Sequence, residues 1–440
     1  MPETSAWEKA SPGAGGPALA TPAAAQDAPS HTEDWPPRGS YASPSPPDSL
    51  AIDFVGRRRA VFWLALKTGC LTVLTLGLYR FWMKTRLRRW YWSATRPGGT
   101  PLEYVGDPYE KLLGFLIAVV ILAFYIGVVN LALMFVSFSL FQQNYAAYAL
   151  SFLGVIPLWF YARYRARRYV LARTRWRGVR FGMAPGAWGY VWRAMMHWTI
   201  TLLSLGLLWP RMTFWLEKYR TDRTYFGNAR LTQGGRWTML YRATWPLLAA
   251  LLLGGLGSAL ALGAGRGEGY TLILAAWGLA AYGYVYYRVE TTRLLANHKS
   301  AMGLALTARP RPFRILMITV LGTLATALVL ALPLGLLGFG VALVQFAQTE
   351  VMQEFGELGA LLAALPRPLL VALGVALYFA IFLLWATFTH AWVTMPTWRH
   401  YATTLTIHNS AALSRVSQRA RDEFQEAEGF AEALDLGASI

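Results

Sequence analysis

The sequence is poor in cysteine, in acidic side chains and in charge of any kind. Cys70 is the single cysteine in 440 residues, which excludes an internal disulfide and a cysteine-based zinc set. The six histidines have no His-x-x-x-His spacing. Charged residues make up only 15% of the chain, against about 25% in soluble domains. Catalytic signatures are missing too. There is no Walker loop, no His-Glu-x-x-His and no Gly-x-Ser-x-Gly, so the reading is not an enzyme, with no cofactor and no metal. Acidic side chains are scarce in the apolar stretches, where a proton-coupled transporter carries them. Glu290, beside Arg288 and Arg293, reads as half of an interfacial ion pair. No basic-then-apolar start marks a signal peptide.

What is present is apolar length. Hydrophobic residues are 55% of the chain and the mean hydropathy is +0.33. Residues 112–162, 243–265, 269–287, 315–349 and 368–398 contain no Asp, Glu, Lys or Arg. About 20 apolar residues cross a bilayer, so each run is of membrane length. The first is long enough to cross twice, with a polar turn at Gln142-Gln143-Asn144. The net charge of +18 fits this setting, because Lys and Arg accumulate on cytoplasmic loops and attract anionic phospholipid headgroups. The 19 Trp and 22 Tyr cluster at the ends of the apolar runs as an aromatic belt. The belt accounts for the aromatic–arginine neighbours, so no nucleic acid partner is expected.

Residues 1–50 are rich in Pro, Ala and Ser and read as a disordered tail. Beyond them a spacing recurs: an aromatic, Thr or a basic residue five later, a small residue nine later, a bulky apolar one twelve later. It appears as Trp90, Thr95, Gly99, Leu102; as Tyr169, Thr174, Gly178, Phe181; and as Tyr225, Arg230, Gly234, Trp237. A degraded copy is Leu294, Lys299, Gly303, Leu306, and a fifth is Tyr401, Thr406, Ser410, Leu413. Gly between short strand-like stretches reads as a turn, which predicts five short β-hairpins. The division that follows is a first membrane repeat over 51–182, a second over 183–308, a third, degenerate one over 309–415, and a polar tail over 416–440.

If the five copies share one side, the segments between them must return the chain to that side. This predicts a membrane α-helical fold with six full transmembrane helices and two re-entrant or interfacial segments, carrying repeated short cytoplasmic β-hairpins. The re-entrant pair breaks at Thr75-Leu76-Gly77-Leu78 and at Ser204-Leu205-Gly206-Leu207. Lys67, Thr75 and Gly77 in one, with Arg193, His197 and Gly206 in the other, are the candidate substrate-binding residues, since paired half-helices build midplane sites and basic groups there suit an anionic solute or lipid. Snorkelling to the interface is the plainer role for the same basic groups. The presumed outer loops near 139–146, 266–268 and 350–367 hold only Arg266 and Arg367 among the basic residues, plus Glu350, Glu354 and Glu357. Eight full spans would strand basic runs outside. For the first segment alone, a full span with the tail outside is a fair alternative.

Phe54-Val55-Gly56, the run from Leu74 to Trp82, Arg86 to Thr95, Leu102-Glu103-Tyr104 with Gly106-Asp107, and Ala433-Leu434-Asp435-Leu436-Gly437 together resemble the YjgN-like bacterial inner-membrane proteins, a family of unknown function. The resemblance covers about 53–440. It implies an inner-membrane location and no established activity, and it implies, by association, an M48-type membrane metalloprotease as a partner. Two functions stay open. One is a transporter- or channel-like protein for a small anionic solute or lipid, which requires a polar cavity between the Gly77 and Gly206 breaks. The other is a non-transport scaffold or regulator of a membrane protease or envelope machinery. The oligomeric state is not legible.

Overall fold

Strands and helix pairs alternate along the chain in a computed structural model that describes residues 48–141, 145–347 and 367–419. Four times over, a short strand leads into two α-helices and a second short strand, and a fifth unit adds a third, shorter α-helix before its closing strand. The first unit is β1 (Ser49–Phe54), α1 (Arg58–Leu74), α2 (Arg80–Ala94) and β2 (Thr95–Pro97). The second is β3 (Leu102–Tyr104), α3 (Pro108–Phe141), α4 (Tyr145–Ala172) and β4 (Thr174–Trp176). The third is β5 (Val179–Met183), α5 (Ala187–Leu203), α6 (Trp209–Thr221) and β6 (Thr224–Phe226). The fourth is β7 (Ala229–Gln233), α7 (Trp245–Ser258), α8 (Glu268–Asn297) and β8 (Lys299–Ala301). The fifth is β9 (Leu304–Ala308), α9 (Pro312–Ala347), α10 (Arg367–Thr389), α11 (Met395–Thr403) and β10 (Leu405–His408).

The ten strands form one antiparallel sheet in the order β2-β1-β10-β9-β8-β7-β6-β5-β4-β3. Its two ends, β2 and β3, are consecutive in the chain and joined across Gly98 and Gly99, both at positive φ. The sheet therefore curls into a nearly closed ring. Each unit contributes a strand pair, and tight turns link one unit to the next. At Arg177–Gly178 and Met302–Gly303 both turn residues have positive φ, the backbone that a two-residue hairpin needs. Thr95, Thr174 and Thr224 each donate from Oγ1 to the carbonyl four residues earlier, at 2.9, 2.7 and 2.9 Å. A carbonyl left over at the helix end is thereby satisfied where the strand begins.

Leu50, Trp176 and Phe226 are buried together on one face of the ring, packed by Leu102, Val179, Phe181, Leu231 and Ile407. Leu413 and Val416, just after β10, join the same cluster. There the chain crosses to the opposite strands: Ser417 and Asn228 exchange hydrogen bonds at 3.0 Å, and Gln418 Oε1 accepts from the Arg180 N–H at 2.9 Å.

Two hairpins differ from the expected spacing. In the third, the turn is Gly227–Asn228 rather than Gly234, so the pattern is displaced by six residues. Tyr219 lies where Tyr225 was expected. The fifth copy supplies one strand only. Asn409, in the left-handed region at φ 58, ends β10, and the mate of β10 is β1 from the start of the described chain.

The expectation of six full transmembrane helices is corrected. Among the described residues three helical segments are long and apolar enough to cross a membrane: Trp245–Gly263, Pro312–Gly340 and Val371–Thr403. The run at 269–287 has the length, but Tyr270, Tyr282, Tyr284, Tyr286 and Tyr287 dilute its apolar character. The middle of α3 and the first part of α4 carry side chains outside the described set, as do Gln142-Gln143-Asn144 and Glu350, Glu354 and Glu357. So do the two tails, 1–47 and 420–440. The strands have three to six residues each, short of the roughly 9–11 that a membrane-crossing strand needs.

Where α7 and α8 meet, small residues let the backbones approach. A Cβ on Gly257 would lie 2.9 Å from the Gly269 carbonyl oxygen, and one on Gly254 would lie 3.4 Å from Ala276 Cβ, the small-residue packing common between apolar helices.

Candidate functional site

The two broken segments are helical hairpins built on the same turn. After α1, Leu76 and Gly77 take φ 51 and 93; after α5, Leu205 and Gly206 take φ 51 and 85. Gly77 N–H donates back to Thr72 at 2.7 Å, and Gly206 N–H to Thr201 at 2.8 Å. Thr75 Oγ1 accepts from Tyr79 N–H at 2.9 Å, and Ser204 Oγ accepts from Leu208 N–H at 3.1 Å. Thr75, Gly77 and Gly206 thus make the turns. At 17, 15, 17 and 13 residues, the four helices reach roughly 20–25 Å at 1.5 Å per residue. Each tip is leucine-rich and open, with Leu76 95% and Leu205 96% exposed. No heavy atom comes within 4 Å of a Cβ built on Gly77 or Gly206.

The candidate residues divide between these hairpins. Lys67 is exposed on α1. Arg193 and His197, one turn apart on α5, share a groove of 330 Å³ with Arg211, Trp215, Lys218, Tyr219, Asp222 and Arg223 from α6 and its C-terminal end. The first and third units are separated along the ring by the second, and this groove has neither Gly77 nor Gly206 in its lining.

In the groove, His197 is buried at 6% exposure, and its Nδ1 lies 3.3 Å from Arg211 Nη1. A guanidinium can only donate, so Nδ1 accepts and the ring proton sits on Nε2. Burial first, then Arg211 and Arg193, push the imidazole below its ordinary value. The Tyr219 ring has the Arg193 guanidinium 4.7 Å and the Arg223 guanidinium 3.7 Å from its centroid.

On another face of α6 a larger cleft of 550 Å³ runs between α4, α5 and α8. Trp198 and Trp209, 6.0 Å apart, lie at its tip end. Phe160, Met212 and Leu216 line the middle, and Arg163, Glu217, Arg220, Arg288 and Lys299 line the rest. Thr213 and Tyr287 bridge α6 to α8 at 2.9 Å. Glu217 is ringed by Arg220 at 2.6 Å, Lys299 at 2.8 Å and Arg167 at 3.6 Å. Burial alone would raise its carboxyl, but Lys299, Arg220 and Arg167 outweigh it and hold the group well below the usual carboxylate range. Arg163 and Arg288 line the same cleft with no carboxylate partner among the described residues. Arg163 instead lies 5.2 Å from the Trp159 ring. Glu290 pairs with Arg293 at 3.2 Å.

Sequence reasoning reached Arg193 and His197 and missed the rest of both cavities. One signal was readable. Arg211, Trp215, Tyr219 and Arg223 recur every four residues, which puts them on one face of a helix. Nothing local announced the cluster at Glu217, because two of its three partners come from α4 and β8.

A family model described as a bacterial protein of unknown function, DUF898, matches residues 49–432, in keeping with the YjgN-like resemblance. No curated protein and no solved structure matches the chain.

Proposed function

Because the chain belongs to this bacterial family of unknown function and has three helices able to cross a membrane, we propose that it is an inner-membrane protein that binds and handles anionic amphiphiles, in the broad manner of a lipid transporter. The observation that carries this reading is the 550 Å³ cleft, within the range of small-molecule sites. Its Trp198–Trp209 end and apolar middle suit an acyl or prenyl chain. Arg163 and Arg288, uncompensated by carboxylates among the described residues, suit the anionic head. Helical rather than strand-built crossing segments favour the inner membrane, since outer-membrane proteins are typically barrels. The bias of Lys and Arg towards cytoplasmic loops supports a strand ring on the cytoplasmic side.

The test is the lipid that stays with the purified protein. Anionic lipid is expected to be enriched over its share of the membrane, and Arg163→Gln with Arg288→Gln is expected to remove most of that enrichment. A bound-lipid profile that mirrors the bulk membrane and ignores the double variant would sink the proposal. A conduit for small solutes would need a polar cavity joining the two hairpin breaks, and neither the groove nor the cleft has Gly77 or Gly206 in its lining. The scaffold reading draws on the ring itself, whose apolar face is filled by Leu413 and Val416. A membrane metalloprotease of the M48 type is the partner that reading names, and stoichiometric crosslinking of the two in native membranes is its test.

A further inference from the structure

The groove between α5 and α6 carries a charge that the protein does not balance. Four cations line it, with Asp222 the single acid. Asp222 is already committed: Lys218 Nζ lies 2.9 Å from its Oδ2, and Gln233 N–H donates to its Oδ1 at 2.8 Å. Lys218 is spent as well, donating to the Gln233 carbonyl at 2.9 Å. Arg193, Arg211 and Arg223 have no carboxylate partner among the described residues. They are held in place without one, Arg193 and Arg223 by the Tyr219 ring and Arg211 by His197 Nδ1. Three guanidiniums gathered and oriented around a 330 Å³ space make a receptor for negative charge, since each presents a rigid fork of donors.

We infer that this groove binds a phosphate group, gripped by Arg193, Arg211 and Arg223 with His197 on its buried side. A carboxylate offers two oxygens and one charge, enough for one guanidinium fork. Phosphate offers three or more oxygens and up to two charges, and charge-assisted forks are the strong way to hold it. The groove starts at the ring end of the hairpin, at Asp222 and Arg223, and reaches Arg211, four residues from the exposed Leu207. A phosphate here sits just below the leucine tip, at the depth where a lipid headgroup meets the apolar layer. The same chemistry would hold free phosphate. The site lies on a different face of α6 from the cleft and stands or falls independently of it.

Full-length protein in maltoside detergent, stripped of lipid, tests this by calorimetric titration with phosphatidic acid, with diacylglycerol and with inorganic phosphate. Phosphatidic acid is expected to bind and diacylglycerol not to. Arg193→Gln with Arg211→Gln is expected to weaken binding by roughly tenfold or more, as loss of charge-assisted hydrogen bonds implies. Arg266→Gln, exposed between α7 and α8 and in neither cavity, is expected to leave it unchanged. Inorganic phosphate that competes with phosphatidic acid identifies the group alone as sufficient; phosphatidic acid binding without competition identifies a lipid-borne phosphate. Equal binding of the two lipids, no binding of either phosphate probe, or an affinity that ignores the Arg193–Arg211 variant overturns the inference. Should that variant fail to fold, phenylglyoxal modification of the unaltered protein decides: phosphate or phosphatidic acid must slow modification of Arg193 and Arg211, and unslowed labelling overturns the site.

Discussion

Glu217 holds one negative charge among three cations drawn from three elements: Arg167 on α4, Arg220 on α6 and Lys299 on β8. It therefore ties the second, third and fourth units of the ring together. Removing one member of a buried charge cluster leaves its partners uncompensated, at a typical cost of about 3–5 kcal/mol. Glu217→Gln is expected to destabilise the protein in detergent by a free energy of that order, seen as a lower melting temperature. The effect has a defined pH dependence. The folded-state carboxyl lies well below its unfolded value, so its stabilisation is fully present above the unfolded value and drains away as pH falls through the folded one. The gap between wild type and Glu217→Gln should be constant near neutrality and close in acid. A gap that persists in strong acid would show that Glu217 acts through shape rather than charge. This residue also marks a limit of local reading. Within Glu217-Lys218-Tyr219-Arg220 a single acid looks like a solvated helix end, and only the fold brings Arg167 and Lys299 to it.

At the scale of elements, the hairpin turns were legible and the way the hairpins are deployed was not. Thr75-Leu76-Gly77-Leu78 and Ser204-Leu205-Gly206-Leu207 announce a break because the glycine must take positive φ and the hydroxyl caps the turn. What the pattern could not tell is that one helical unit of the ring separates these turns, since that depends on how β3 and β4 insert the α3–α4 pair between them. Of the residues expected to pair across them, Arg193 and His197 line one of two cavities on α6. Leucines at 95% and 96% exposure on a fixed, capped turn have no packing role within the chain. Exposed apolar patches of this kind mark interaction surfaces, and an apolar layer is the surface that suits them. In a Cys70→Ser background, a bimane probe on Leu205→Cys is expected to be quenched by lipids brominated on their acyl chains, and a probe on Ser300→Cys in the ring is not. Equal quenching at both positions would remove the tip from the membrane. Leu205→Asp is expected to leave detergent stability within about 0.5 kcal/mol, as for other exposed positions, while abolishing the tip's contact with lipid.

The whole molecule is organised by the ring, and the ring is closed by the two ends of the described chain. Four turns join the five units in sequence, so those hairpins could be sought from a glycine and its flanking residues. The fifth could not, because the mate of β10 is β1, at the opposite end of the described chain. A spacing rule that expects two consecutive strands after every helix must then invent a strand over Ser410–Arg415, where the structure has a 3-10 helix. Ring closure also controls an exposure problem. Without β1, both β2 and β10 become free edges, and free edges invite pairing with other chains. It constrains topology as well: β1 and β10 must lie on the same side of the membrane, as must every strand between them. Ala51 faces Thr406 directly across the closing pair, and residues opposite each other in an antiparallel pair have Cβ atoms roughly 4.5–5.5 Å apart. In the Cys70→Ser background, Ala51→Cys with Thr406→Cys is expected to crosslink within one chain under mild oxidation, seen as a faster-migrating band that reductant reverses. Ala51→Cys paired with Glu103→Cys, on β3 rather than the facing strand, is the control expected to stay open. If the Ala51–Thr406 pair failed to join while both cysteines labelled from the same side, the ring would be open at this seam. If the two labelled from opposite sides, the shared sidedness of the five units would go with it.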